Sequence, residues 1–165
     1  MSIHAPLPQA EPATFMAEYL DLLSLVERLH RLLLDVIKDE FERLGLLEIN
    51  AVQALLLFNI AENEVTAGEL KSRGYYQGSN VSYNLKKLVE LGYMHHQRCA
   101  IDRRSVRVRL TPRGQEVRKI VGTLFERHAM ALQKNLTLGE EGPEAMARRL
   151  RKLERYWADQ IRFIY

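Results

Sequence analysis

The apolar spacing changes once, sharply, within residues 77–114, and that change limits what the chain can fold into. Before Gly92, Val81, Leu85, Leu88 and Leu91 recur at helical spacing behind a cap at Ser79 or Asn80; beyond it the period drops to two. Tyr93, His95, Gln97 and Cys99 alternate with Met94, His96 and Arg98. After a tight, charged connection over 101–105, a second strand alternates Val106, Val108 and Leu110 with Arg107 and Arg109. The segment predicts a short helix packed on one side, a glycine stop and a two-stranded basic hairpin.

Advancing about 100° per residue from Val81, the helix face opposite the apolar stripe carries Ser79, Tyr83, Lys86 and Glu90, flanked by Asn80, Ser82 and Lys87. Such a face can touch a partner as well as water. Asn84 falls nearer the apolar border. Upstream, Thr66 stands three residues before Glu69, a capping-box spacing that predicts a short helix over 66–72 with Leu70 inward, broken at Gly74. Two short helices joined through glycine, then strand, charged tip and strand, is the order of a winged helix-turn-helix. The expected class is mainly α (α+β), with the winged domain over 46–114.

Around that domain the pattern is helical. Residues 1–13 form an irregular arm. From about 14 to 44, Phe15, Tyr19, Leu22, Val26, Leu29, Leu33, Val36, Ile37, Phe41 and Leu44 recur at three and four, and Gly45 stops the run. A helix of that length greatly exceeds the usual ~11 residues. Extra leucines at 23, 25, 32 and 34 widen its apolar arc, so a second chain is expected to cover part of it. A further helix over 48–60, started by Asn50 or the loop before it, turns Val52, Leu55, Leu56 and Ile60 inward. Beyond the hairpin, Thr111 and Pro112 read as cap and first position of a helix reaching about 136. A last helix over 144–165 gathers Met146, Leu150, Leu153, Tyr156, Trp157, Ile161 and Ile164 on one face. With residues 14–45, residues 115–165 are expected to make a dimerisation layer.

Charge divides along the chain. Residues 1–62 hold 10 acidic and 4 basic side chains, residues 71–119 hold 3 acidic and 12 basic ones, for nets of −6 and +9. A basic segment coinciding with a helix and hairpin is the footprint of a nucleic-acid binder. The single cysteine, Cys99, allows no disulfide within the chain and reads as a packing residue rather than a redox switch. No Cys or His spacing fits a metal, no nucleophile and base or carboxylate pair suggests an enzyme, and no apolar run is long enough to span a bilayer. The default compartment is the cytoplasm, with no cofactor.

Asp102 and Arg104 at i, i+2, followed by Ser-Val-Arg-Val-Arg-Leu-Thr-Pro-Arg-Gly to Gly114, resemble the wing motif of the MarR family of bacterial winged-helix transcription regulators. The element order supports the likeness over about 14–162. The resemblance implies a homodimer with interleaved terminal helices and two winged domains on a pseudopalindromic double-stranded DNA operator. It also makes 79–91 the recognition helix, Asp102 the wing aspartate and Arg104 the wing arginine. Many members are repressors released by a small aromatic or phenolic effector, for which Phe15, Tyr19 and His30 would line a cleft; His30 also reads as a packed helix histidine.

Chemistry assigns the roles. Arg104 at a narrow tip can enter the minor groove, held by Asp102 through a bidentate pair, with Arg103 as an alternative groove residue or a phosphate contact. Asn80, Ser82, Tyr83, Lys86 and Lys87, on the same face as Ser79, can reach base edges or phosphates in the major groove. Arg73, Arg107, Arg109 and Arg113 suit phosphate contacts. Tyr75 and Tyr76 either pack the helix-turn-helix core or offer one phenol to the phosphate backbone. The rival to operator reading is an architectural, nonspecific or protein-binding winged module.

Overall fold

Pro12 sits in the first turn of α1 (Pro12–Arg43), where its missing N–H is no loss, so the helix begins two residues before the apolar pattern does. The protein is described by a computed structural model over residues 11–60, 65–66, 78–98, 100–101 and 106–164. At the C-terminus of α1, Gly45 takes φ +71° and its N–H donates to the Glu42 carbonyl, while the Leu46 N–H returns to the Phe41 carbonyl. Within the last turn Arg43 forks onto Glu40, with Nε 3.0 Å and Nη2 2.8 Å from the two carboxylate oxygens. That bond and the adjacent negative charge hold the Arg43 guanidinium above its ordinary pKa.

Next comes α2 (Ala51–Asn59), opened by a complete capping box: the Gln53 N–H donates to Asn50 Oδ1 at 2.8 Å and the Asn50 N–H to Gln53 Oε1 at 3.1 Å. Its buried face differs from the expected one. Gln53, Ala54, Leu56 and Leu57 are buried, and Val52 and Leu55 only half so. Apolar side chains occupy nearly every position of this helix, so periodicity could not single out the face. Ile60, just beyond it, is fully buried as expected.

A three-stranded antiparallel sheet follows, ordered β1-β3-β2, from β1 (Val65–Thr66), β2 (Met94–Arg98) and β3 (Val106–Leu110). Met94 pairs with Leu110, His95 with Arg109, His96 with Val108 and Gln97 with Arg107; Val65 pairs with Val108 from the other side. Alternation therefore puts Met94 and Val108 in the core and leaves His95, Gln97, Arg107 and Arg109 exposed. Between β1 and β2 lies α3 (Gly78–Glu90), the recognition helix anticipated from 79 to 91. The helix expected over 66–72 lies outside the described residues.

Two long helices complete the chain, α4 (Pro112–Lys134) and α5 (Gly142–Ile164). Thr111 caps α4 as expected, its Oγ1 accepting the Gly114 N–H at 3.2 Å. The chain divides into two compact units, residues 1–121 and 122–165. The core of the first gathers Ile37 and Phe41 from the end of α1, Leu56, Leu57 and Ile60, Val81 and Leu88 of α3, Met94, Val108, and Val117 and Val121 of α4. Each such side chain contributes about 1.5–3 kcal/mol when fully removed from water.

Candidate nucleic-acid interface

α3 keeps its two faces apart. Val81 and Leu88 are fully buried, and Leu85 and Asn84 nearly so. The Asn84 amide is engaged on both sides: its Oδ1 accepts from Gln53 Nε2 at 3.3 Å and its Nδ2 donates to the Asn80 carbonyl at 2.9 Å. Asn84 thus fastens α3 to α2 and is unavailable as a base reader, which its place on the wheel anticipated. On the opposite face Asn80, Ser82, Tyr83, Lys86 and Lys87 are all exposed, Tyr83 by 67%. The Tyr83 phenol thus stands out from a helix whose other face is fixed in the core.

The hairpin brings a second set beside it. Ser82, Lys86 and Glu90 of α3 share a groove of about 420 Å³ with His96 and Val108, so the helix and the wing sheet form one continuous surface. His95, Gln97, Arg107 and Arg109, with His96 at its edge, line a hollow of about 200 Å³ to which no carboxylate contributes among the described residues. Arg107 and Arg109 are both exposed on this face of the sheet. Arg73, Asp102, Arg103, Arg104 and Cys99, with Tyr75 and Tyr76, lie outside the described residues, as does the Ser79 side chain.

Arg113, expected as a phosphate contact, also makes contacts within the protein. Its Nη1 donates to the Leu91 carbonyl at 2.8 Å, its Nη2 to Glu48, and the guanidinium carbon lies 4.5 Å from the Tyr93 ring centroid. The Tyr93 hydroxyl donates to the same Glu48 oxygen at 2.6 Å. Two of the five guanidinium donors of Arg113 are thus engaged within the protein, and its side chain remains 55% exposed. Burial raises the Tyr93 phenol above its ordinary pKa, reinforced by the Glu48 bond and charge and opposed by Arg113. Sequence reasoning missed this cluster because Glu48 and Arg113 are 65 residues apart and share no periodic pattern. The Asn50-x-x-Gln53 spacing, by contrast, was a readable signal for the cap.

The same cluster forms the polar end of a cavity of about 510 Å³ with apolar walls from Phe41, Leu46, Ile49, Val117 and Ile120. Phe15, Tyr19 and His30 do not line it. They are spread along α1, where a rise of about 1.5 Å per residue puts His30 roughly 16 Å beyond Tyr19, too far for one small ligand within a single chain. Phe15 and His30 are exposed. Among the described residues no group of three or more His, Cys, Asp or Glu could hold a metal ion. No helix among them is long and apolar enough to cross a membrane.

A half-buried helix with a polar, aromatic and basic outer face, set against a basic hairpin, defines a winged-helix DNA-binding protein. A family model described as a winged helix DNA-binding domain matches residues 49–114. The exopolysaccharide II synthesis transcriptional activator ExpG of Rhizobium meliloti (strain 1021) is 30% identical over 164 residues, covering 98% of this chain and 82% of its own length. Among solved structures, the transcriptional regulator SlyA superposes with a TM-score of 0.72 at 22% identity, over 88% of this chain and 99% of its own. The S. aureus MepR–DNA complex gives 0.65 at 19%, over 81% and 96%. The chain belongs to the MarR family of winged helix-turn-helix transcriptional regulators, and its function is DNA-binding transcription regulation.

Proposed function

We propose that the protein works in the bacterial cytoplasm, without catalytic chemistry, as a homodimer that binds a pseudopalindromic double-stranded operator sequence-specifically and alters transcription there. The observation that carries this reading is the exposed Asn80, Tyr83, Lys86 and Lys87 face of a helix whose other side is locked into the core. In this reading the face enters the major groove with Ser79 and Ser82. Arg104, held by Asp102, enters the minor groove, while Arg73, Arg103, Arg107 and Arg109 hold phosphates. The winged domain spans 46–114 and the dimerisation layer 14–45 and 115–165. Exposed apolar side chains on α1 support the dimer: Phe15 is 62%, Leu29 60% and Leu32 56% exposed, and an uncovered stripe of this kind marks an interface.

The sign of regulation has two readings. Likeness along 98% of the chain to a protein named as an activator favours activation. Repression relieved by a small aromatic or phenolic effector is favoured by the 510 Å³ cavity, whose size and apolar walls suit one. A reporter fused to the bound promoter decides between them. Expression that falls on deleting the regulator makes it an activator, and expression that rises makes it a repressor. Unchanged expression, with binding no tighter than to competitor DNA, would leave a nonspecific architectural or protein-binding module instead.

A further inference from the structure

We propose that Arg113 is a positioning residue for DNA reading: with Glu48 and Tyr93 it fixes the C-terminal end of the recognition helix to the start of α4 and the α1–α2 loop, setting the angle at which α3 meets the groove. The inference rests on α3 being the operator-reading helix.

Helix ends leave carbonyls without partners, and how those are satisfied decides how firmly the end is held. After α3 the chain turns through Gly92, at φ +81°. The next three carbonyls each take a donor from one short stretch: Leu91 from Arg113 Nη1 at 2.8 Å, Gly92 from Thr111 Oγ1 at 2.7 Å, and Tyr93 from the Thr111 N–H at 3.1 Å. Residues 111–113 thus grip residues 91–93 one after another. Thr111, which also caps α4, makes two of these bonds and reaches no further. Arg113 alone continues outward, since its other fork nitrogen reaches Glu48 in the loop between α1 and α2, where the Tyr93 hydroxyl also arrives.

The consequence is mechanical. One guanidinium joins the residue that follows the recognition helix, the post-wing helix and the α1–α2 loop, so a rotation of α3 strains its bond to the Leu91 carbonyl while Glu48 holds the other end of the fork in place. Small misplacements of a reading side chain weaken the specific complex far more than nonspecific phosphate binding, which tolerates many angles. Lysine cannot replace the fork: its point charge can satisfy Leu91 or Glu48 but has no planar pair of donors to hold both.

The test uses the full-length protein and a duplex carrying the site that the wild type protects in its own promoter region, with random duplex as competitor, over a range of salt. Wild type, Arg113→Ala, Arg113→Lys and Glu48→Gln are compared, each first checked for wild-type melting and oligomeric state. Both Arg113 variants are expected to lower the specific-to-nonspecific affinity ratio by about tenfold or more with the salt slope unchanged. Glu48→Gln should lower the ratio too, although it removes a negative charge and would otherwise favour DNA. A salt slope smaller by about 1 in Arg113→Ala, with specific and nonspecific binding weakened alike and Lys restoring both, would make Arg113 a phosphate contact and overturn the proposal. An unaltered ratio in Glu48→Gln overturns it as well. If the wild type itself discriminates poorly, the operator reading fails and the proposal with it, a result seen before any variant is compared.

Discussion

Gly114 has no room for a side chain: a Cβ there would stand 2.2 Å from the Tyr93 carbonyl oxygen and 3.3 Å from the Leu110 Cβ. The obstacle is backbone, which cannot swing aside as a flexible side chain would. Gly114→Ala should therefore cost about 1–3 kcal/mol or more by overpacking, read as a lowered melting temperature. Melting at the wild-type temperature would mean that the 93 to 114 contact is looser than described. Tyr93 carries a different signature, because its phenol is held above the ordinary value of about 10, first by burial and then by Glu48. An acid raised in the folded state contributes stability that is complete below its unfolded pKa and is lost as pH rises through the folded one. Wild type should lose denaturant stability relative to Tyr93→Phe as pH climbs past about 10. A difference between the two that stays constant across that window would contradict the assignment.

Whether an element was legible in sequence depended on how local its signal is. α3 and the hairpin announced themselves through the switch in period at Gly92, and α4 through Thr111-Pro112, because caps and alternation are written in neighbouring residues. α2 was found but turned wrongly, since a run of Ala, Leu and Phe gives no polar side to read and its inward face includes Gln53. That glutamine is buried because it does two jobs, closing the cap with Asn50 and meeting Asn84 31 residues away. The wing tip lies outside the described residues, and what is expected of it rests on the Asp102 and Arg104 motif alone. At this scale the reading predicts that Arg104→Ala weakens operator binding by about 1–3 kcal/mol, in the range of a lost base-edge contact, with the dimer intact. Unchanged operator affinity, measured by titration of labelled duplex, would remove Arg104 from the groove.

At the scale of the molecule, α1 determines what the rest can do. Its buried residues, Ile37, Glu40 and Phe41, all lie near its C-terminal end, and Phe15, Leu29 and Leu32 before them are more than half exposed. The last helix shows the same condition, with Met146 50%, Tyr156 58% and Ile161 63% exposed. The length and apolar breadth of α1 could be read from sequence; which chain covers it could not, because a stripe of leucines does not name its partner. A second copy would set two recognition helices about one helical turn of DNA apart and give a two-fold operator its meaning.

The most direct measurement is binding to DNA from the protein's own promoter region at fixed salt, with competitor present and with the mass of the complex determined alongside. Two chains on one site, held at least about 1,000-fold more tightly than on random duplex, are expected of a homodimeric operator reader. A single chain on the site, or an affinity ratio near one, would contradict it.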